Sequence, residues 1–115
     1  MPTKEEIDAL AEAFAQSREI LVALGDENRQ HMILEMMKMG KCRGVRVNEI
    51  TQKTHLSRPA VSHHLQVLKK AGVLKMRREA TKNYYYFDPD MIGFERLIRV
   101  LQSAVRLTSA MPNRE

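Results

Sequence analysis

Residues 56–74 of the chain read LSRPAVSHHLQVLKKAGVL, and their pattern indicates the architecture of the surrounding chain. Val61, Leu65 and Leu68 recur with the spacing of one helix face, which predicts a short helix with one buried side. Hydrogen-bonding and cationic side chains occupy its other faces, as a surface that reads DNA bases requires. Gly72 follows a pair of lysines and predicts the end of this helix.

A shorter helix is expected immediately before this one. Asn48 is its expected N-cap, Ile50 is its apolar anchor, and it runs to about residue 53. The longer helix begins at Ser57 or Arg58, either of which can be its N-cap, and Pro59 then falls in the first turn. Two helices joined by a short turn, the second rich in outward polar groups, form a helix-turn-helix over residues 48–70.

A β-hairpin is predicted directly after the helix-turn-helix. Residues 73–78 and 83–87 are β-prone runs, and residues 79–82 separate them. Successive side chains of a strand point to opposite faces, so at least one of the three tyrosines at 84–86 is expected in the core. Residues 45–47 alternate in polarity and predict a very short additional strand.

Helices are also predicted at both ends of the chain. Thr3 and Glu6 can form a capping box for a first helix that reaches about residue 24. A second helix runs over 27–39, from Asp26 as N-cap to Gly40, and a last one follows residue 90. Met32, Ile33, Met36 and Met37 are the expected buried side of the second helix. The long apolar stripes of the terminal helices suit either a core or a dimer seam.

Length and composition indicate one globular domain over residues 1–115, mainly α-helical with a small hairpin. Hydrophobic residues make up 43% of the chain and charged residues 29%. No apolar run approaches the roughly 18 residues that span a membrane. The N-terminus is polar, unlike a signal peptide, and the single Cys42 excludes an internal disulfide. We therefore expect a cytoplasmic protein with no membrane partner.

The net charge of +5 is unevenly distributed along the chain. Residues 41–82 contain eleven Lys or Arg and two acids, a net of +9, whereas the remainder carries −4. A basic centre that includes the polar helix favours a polyanion as partner over a merely solvated face.

Three stretches resemble the ArsR/SmtB family of bacterial transcriptional regulators: residues 24–29 (LGDENR), residues 61–72 (VSHHLQVLKKAG), and residues 77–79 with 84–86. The resemblance implies a winged helix-turn-helix of order α-α-β-α-α-β-β-α, with the wing at 73–87. It also implies a homodimeric repressor joined through the terminal helices, 1–24 and 90–109, on an imperfect inverted repeat. The expected interface residues are Ile7, Leu10, Phe14, Leu21, Phe94, Leu97, Ile98, Leu101 and Val105.

The candidate contacts with double-stranded DNA lie on the helix and the hairpin. Arg58 can pair with guanine or bind phosphate alone, and Gln66 can pair with adenine. Ser62 can contact phosphate or a base edge. The basic residues beside the hairpin tip can contact phosphates, enter a narrow minor groove, or remain solvated. The full set is Ser57, Arg58, Ala60, Ser62, His63, Gln66, Lys69, Arg77, Arg78 and Lys82.

The two adjacent histidines are expected to have different roles. His64 lies beside the apolar face and is predicted to be a partly buried structural residue. His63 shares its direction with Gln66, which favours a contact with DNA. Neighbouring side chains on a helix point about 100° apart, so the pair cannot easily share a metal ion.

Many members of the family sense metals, and the sequence predicts that this chain does not. The segment 45–50 contains no cysteine, and residues 89–115 contain neither histidine nor cysteine. We expect no cofactor, and the inducing signal stays unidentified. Two alternatives remain: a winged-helix protein-interaction module without DNA binding, and a thiol or metal sensor that uses Cys42. No nucleophile–base pair or glycine-rich phosphate loop occurs, so we do not expect an enzyme.

Overall fold

A computed structural model describes residues 1–112, so residues 113–115 of the predicted domain lie outside the described part. Within it the chain forms six α-helices and one antiparallel hairpin. In chain order these are α1 (Lys4–Gln16), α2 (Arg18–Leu24), α3 (Glu27–Met39), α4 (Val47–Thr54), α5 (Arg58–Lys70), β1 (Leu74–Glu79), β2 (Lys82–Phe87) and α6 (Met91–Ser109). The predicted fold class, a mainly α winged helix-turn-helix, is confirmed.

The chain divides into two compact units. The central unit comprises residues 19–90, and the terminal unit comprises residues 1–18 with residues 91–112. In the terminal unit α1 packs against α6, and Glu6 pairs with Arg106 at 3.5 Å. The predicted capping box is present, because the Glu6 N–H donates to Thr3 Oγ1 and the Thr3 N–H donates to Glu6 Oε1.

The first predicted helix is wrong in its extent, because it is interrupted at Ser17. The Ser17 backbone ends α1 with φ −101° and ψ 5°, and its N–H donates to the Phe14 carbonyl at 3.1 Å. Such an i→i−3 hydrogen bond tightens the last turn and ends the regular pattern. A second helix, α2, then begins at Arg18.

Helix α3 has the predicted limits. Asp26 Oδ2 accepts the Arg29 N–H at 3.0 Å, and Gly40 ends the helix in the left-handed region at φ 64°. Met32 and Met36 are buried as expected, but Met37 is 58% exposed. Met37 lies about 140° around the helix from Met32, too far to share its buried face.

Helix α4 begins earlier than predicted, and its N-cap is Arg46 instead of Asn48. Glu49 Oε1 accepts the Arg46 N–H at 3.1 Å, so the glutamate three residues into the helix selects the start. The predicted strand at 45–47 is wrong. Only Val45 pairs, through two backbone hydrogen bonds to Tyr85 of 2.8 and 2.9 Å.

The N-cap of α5 is Ser57, whose Oγ accepts the Ala60 N–H at 3.2 Å. The hairpin pairs Leu74 with Phe87 through to Glu79 with Lys82. Its loop is therefore the two residues Ala80 and Thr81, and not the four predicted. Glu79 and Lys82 join the ladder as a directly opposed pair of opposite charges, an arrangement that stabilises antiparallel strands.

The core of the central unit consists of apolar side chains from α2, α3, α4, α5, the hairpin and the adjoining loops. They are Ile20, Ala23, Met32, Met36, Val45, Ile50, Val61, Leu65, Leu68, Ala71, Val73, Leu74 and Tyr85. Tyr85 is the predicted core tyrosine, whereas Tyr84 and Tyr86 are half-buried. Among the helices of residues 1–112, none is long and apolar enough to cross a membrane.

Candidate nucleic-acid interface

Helix α5 presents a polar face to solvent because its opposite face anchors the fold. Val61, Leu65 and Leu68 are each 0% exposed. His63, Gln66 and Lys70 are exposed and lie around the other side of the helix. Lys70 is absent from the set of predicted DNA contacts, although its position seven residues after His63 places the two on one face.

The predicted residues nearer the start of α5 are arranged less uniformly. The Ser57 hydroxyl oxygen already accepts the capping N–H, so this side chain offers a ligand its own hydroxyl hydrogen. Arg58 is exposed and donates from Nη1 to Asn48 Oδ1. Ala60, Ser62 and Lys69 are half-buried along the flanks of the helix.

A small notch brings together residues that the sequence left unconnected. It is a cavity of about 100 Å³ at the starts of α4 and α5 and beside the hairpin tip. Two guanidinium groups line it, with amide and hydroxyl side chains around them. The lining residues are Arg46, Val47, Asn48, Arg58, Thr81 and Asn83. Arg46, Asn48 and Asn83 are absent from the predicted contacts, because only the folded hairpin brings residues 81–83 to α4.

Gln66 is tied to the hairpin. Its Nε2 donates to the hydroxyl of the buried Tyr85 at 3.3 Å. A bidentate contact with adenine uses both the amide nitrogen and the amide oxygen. Gln66 must therefore release or share this hydrogen bond to read adenine in the predicted manner.

The three basic residues of the hairpin differ in how strongly they are held. Arg77 Nη2 donates to the Arg43 carbonyl at 2.7 Å, and Nη1 pairs with Glu79. The Arg77 guanidinium also lies 4.8 Å from the centre of the Tyr84 ring, a cation–π contact. Arg78 is exposed and donates from Nε to the Ala80 carbonyl at 3.2 Å, and Lys82 is exposed. Arg78 and Lys82 are thus the more available cations.

His64 is a partly buried structural residue, as predicted. Arg29 Nη1 lies 3.1 Å from His64 Nδ1, and the donating guanidinium assigns this ring nitrogen as the acceptor. Burial lowers the pKa of His64, the nearby Asp26 raises it, and Arg29 and His63 lower it further. The neutral imidazole is therefore favoured at this position.

The alternative function, a thiol or metal sensor, depends on Cys42. Cys42 is exposed in the loop before α4. Its neighbour Lys41 pairs with Glu49, whose pKa is lowered mainly by that hydrogen bond. Within residues 1–112 no three His, Cys, Asp or Glu side chains lie close enough together to hold a metal ion.

The predicted interface residues fall into three classes of exposure. Five are exposed: Ile7, Phe14, Ile98, Leu101 and Val105. Leu10, Leu21 and Phe94 are half-buried. Leu97 is only 7% exposed, so within this chain it belongs to the interior and is not a surface residue. Leu97 and Leu101 lie about 40° apart around the helix, so Leu97 can face the interior of the chain while Leu101 faces solvent.

Comparison with known proteins identifies relatives over the same region. The family model described as "Bacterial regulatory protein, arsR family" matches residues 26–75. An uncharacterized HTH-type transcriptional regulator of Methanocaldococcus jannaschii is 37% identical over 81 residues, which cover 70% of this chain and 88% of that protein. The transcriptional repressor SdpR of Bacillus subtilis is 32% identical, over 57% of this chain and 69% of that protein.

Another relative is longer. The arsenic resistance transcriptional regulator of Pseudomonas putida is 35% identical over 63% of this chain, and the match spans 54% of that protein.

Solved structures share the fold at lower identity. An ArsR family transcriptional regulator superimposes with a TM-score of 0.66 at 15% identity, over 85% of this chain and 95% of that chain. A winged helix-turn-helix DNA-binding domain of Mycobacterium bovis, described as homodimeric, gives a TM-score of 0.55 at 20% identity, over 97% of both chains.

Proposed function

The chain belongs to the arsR family of bacterial regulatory proteins, and we propose that it acts as a homodimeric repressor of transcription on an inverted-repeat operator. The family consists of DNA-binding transcriptional regulators, so the prediction that the chain is not an enzyme is confirmed. The observation that carries the proposal is the polar, exposed face of α5 within a segment of net charge +9.

In the proposed complex α5 lies in the major groove and reads base edges. His63 and Gln66 are the central contacts, because both are exposed opposite the buried face of the helix. Arg58 and Ser62 contact bases or phosphates near its N-terminus, and Lys70 joins them at its C-terminal end. Phosphate contacts supply affinity and register, whereas the base contacts supply the choice of sequence.

The notch between α4, α5 and the hairpin suits a single phosphate group. Arg46 and Arg58 supply two cations, and Asn48 and Asn83 supply amide donors within the same cavity of about 100 Å³. Charge-assisted hydrogen bonds from guanidinium to phosphate are among the stronger polar contacts. A phosphate held there would fix α5 and the hairpin tip on the DNA together.

Assembly into a dimer would use the exposed apolar side chains of α1 and α6. The Mycobacterium bovis domain is described as homodimeric, and we extend that arrangement to this chain. A two-fold dimer places two recognition helices in successive major grooves, about 34 Å apart. We place the protein in the cytoplasm, where the DNA is, and propose that it responds to a signal other than a metal ion.

The test is selection of bound duplexes from a random pool, followed by affinity measurements at several salt concentrations. We expect an inverted repeat and a steep decrease of affinity with salt. Replacing either phosphate-binding candidate, Arg46→Ala or Arg78→Ala, should make the logarithmic salt slope shallower by about 1 and weaken all duplexes alike. Lys4→Ala on α1 is the matched control and should leave the slope unchanged.

Two results would contradict the proposal. Duplex binding that is absent or independent of salt would favour a protein-interaction module. An unchanged salt slope in Arg46→Ala would show that the notch does not contact DNA. An unchanged salt slope in Arg78→Ala would show the same for the hairpin.

A further inference from the structure

A cleft between α1 and α6 in the terminal unit has no role in the proposed binding of DNA. Its volume is about 250 Å³. Helix α1 contributes Glu6, Ala9, Leu10 and Ala13, and helix α6 contributes Arg96, Arg99, Val100, Ser103, Arg106 and Leu107. All these residues belong to one compact unit, so the cleft is formed without the DNA-binding helices.

The floor and the rim of the cleft differ in chemistry. Leu10 and Ala13 on α1 face Val100 and Leu107 on α6, the last two buried, and together they form an apolar floor. The rim carries three guanidinium groups, all from α6. A site with an apolar interior and a few convergent polar groups is the usual form of a small-molecule pocket.

The charges on this rim are unbalanced. Arg106 pairs with Glu6 at 3.5 Å. In the part of the chain that the structure describes, neither Arg96 nor Arg99 forms an ion pair with a carboxylate. Like charges three residues apart on a helix repel each other, and the rim holds them beside apolar surface. A bound anion would relieve that repulsion, and guanidinium groups match the planar geometry of a carboxylate.

The cleft also lies away from the exposed apolar stripe of α6. At 3.6 residues per turn, the centre of the stripe formed by Ile98, Leu101 and Val105 is about 170° around the helix from the cleft-lining residues. An occupant of the cleft therefore does not compete with a partner that covers this stripe. The inference holds whether or not the chain is a dimeric repressor.

From these features we propose that the cleft binds a small amphipathic monocarboxylate, its carboxylate between Arg96 and Arg99 and its apolar chain on the floor. A water molecule occupies about 30 Å³ of liquid, so the cleft holds roughly eight groups of that size. A carboxylate with a chain of about eight carbons fits this volume. Octanoate is therefore the appropriate probe.

The experiment measures binding of octanoate to the full chain by calorimetry and by amide chemical shifts, below the critical micelle concentration. We expect saturable binding of one octanoate per chain, with the shifts concentrated on α1 and α6. Octan-1-ol and octylammonium have the same chain without the anion, and each should bind at least tenfold more weakly. Equal binding of octylammonium would overturn the proposal, because it would mean partition into an apolar groove.

Variants of the chain separate the role of the rim charges from the role of the cleft volume. Arg96→Gln with Arg99→Gln should weaken octanoate binding at least tenfold, whereas Arg18→Gln, a neutralised cation outside the cleft, should not. Ala13→Leu keeps every charge but fills the floor, and it should also abolish binding. If the double arginine variant fails to fold, Ala13→Leu alone tests whether octanoate binds in the cleft. Undiminished octanoate binding in a folded variant of either kind would contradict the proposal.

Discussion

At the scale of single residues, Arg29 joins the end of one helix to the side of another. Its side chain is buried, with Nε donating to the Ala23 carbonyl at 2.8 Å and Nη2 to the Val22 carbonyl at 3.1 Å. These carbonyls belong to the last turn of α2, which has no hydrogen-bond partners within the helix itself. The third nitrogen contacts His64 on α5 at 3.1 Å. Arg29 thus holds the recognition helix against the end of α2.

The contact between Arg29 and His64 predicts a pH-dependent stability. Because burial lowers the pKa of folded His64 below its usual value of about 6.5, the unfolded chain binds this proton at a higher pH. The stabilisation is therefore present above about pH 6.5 and is lost as the pH falls toward the lowered pKa. His64→Gln keeps an acceptor for Arg29 but does not titrate. The difference in unfolding free energy between wild type and this variant should narrow from pH 7 to pH 5.

Urea unfolding at several pH values checks this expectation. His31→Gln, at an exposed position on α3, is the control for replacing a histidine by glutamine. A difference between wild type and His64→Gln that stays constant across the pH range would show that His64 does not couple folding to protons.

At the scale of elements, the end of α5 sets the direction in which the hairpin begins. The Val73 N–H donates to the Leu68 carbonyl at 3.0 Å, and the Gly72 N–H donates to the Lys69 carbonyl at 3.1 Å. These two bonds form a Schellman motif, and buried Leu68 and Val73 supply its apolar contact. Gly72 adopts φ +83°, and a Cβ there would lie 3.1 Å from Asp90 Cβ.

We expect Gly72→Ala to lower the unfolding free energy by more than the usual cost of a side chain in the left-handed region, about 1–2 kcal/mol, because the new Cβ also crowds Asp90. Chemical denaturation measures the loss. Gly40→Ala is the matched control, since Gly40 has a similar φ of 64° but open space around its Cβ. If both variants lose the same stability, backbone strain alone accounts for it, and the approach of Asp90 contributes nothing.

The sequence predicts elements well where a local rule decides them. Asp26 and Gly40 bound α3, and the 3–4 spacing of Val61, Leu65 and Leu68 identifies the buried face of α5. The break at Ser17 could not be predicted, because the apolar stripe continues across it. The sequence predicts too late a start for α4, because Asn48 is the better N-cap by type, whereas the hydrogen bond from the Arg46 N–H to Glu49 sets the actual start.

The candidate interface is predictable only in part, for a similar reason. The outward residues of α5 follow from helical spacing alone. The notch that joins Arg46 and Arg58 to Asn83 requires the hairpin to fold beside α4, and no local pattern records that approach. The hydrogen bond that restrains the Arg77 side chain likewise goes to the Arg43 carbonyl, 34 residues earlier in the chain.

For the molecule as a whole, the basic segment and the exposed apolar stripe of α6 belong to different units. The basic segment 41–82 lies within the central unit, whereas exposed Ile98, Leu101 and Val105 belong to the terminal unit. A two-fold interface contains every residue twice, so one exposed apolar side chain contributes two buried ones on association. The terminal unit is accordingly where a second copy of the chain should bind.

Replacing Ile98 and Leu101 together by glutamate should therefore convert the proposed dimer into monomers. Each apolar side chain contributes about 1.5–3 kcal/mol when fully buried, and the substitution removes four of them while placing like charges opposite each other.

Leu97 is unsuitable for this test because it is buried within the chain, so its replacement would measure folding. Gln16→Glu adds a carboxylate to α1 on the side opposite Ile7 and Phe14, and this variant should remain dimeric. Sedimentation velocity distinguishes the two states, and circular dichroism verifies that each variant is folded. A folded double variant that stays dimeric would place the interface on another surface. A folded monomer with much weaker affinity for the inverted repeat would show that operator recognition requires two paired α5 helices.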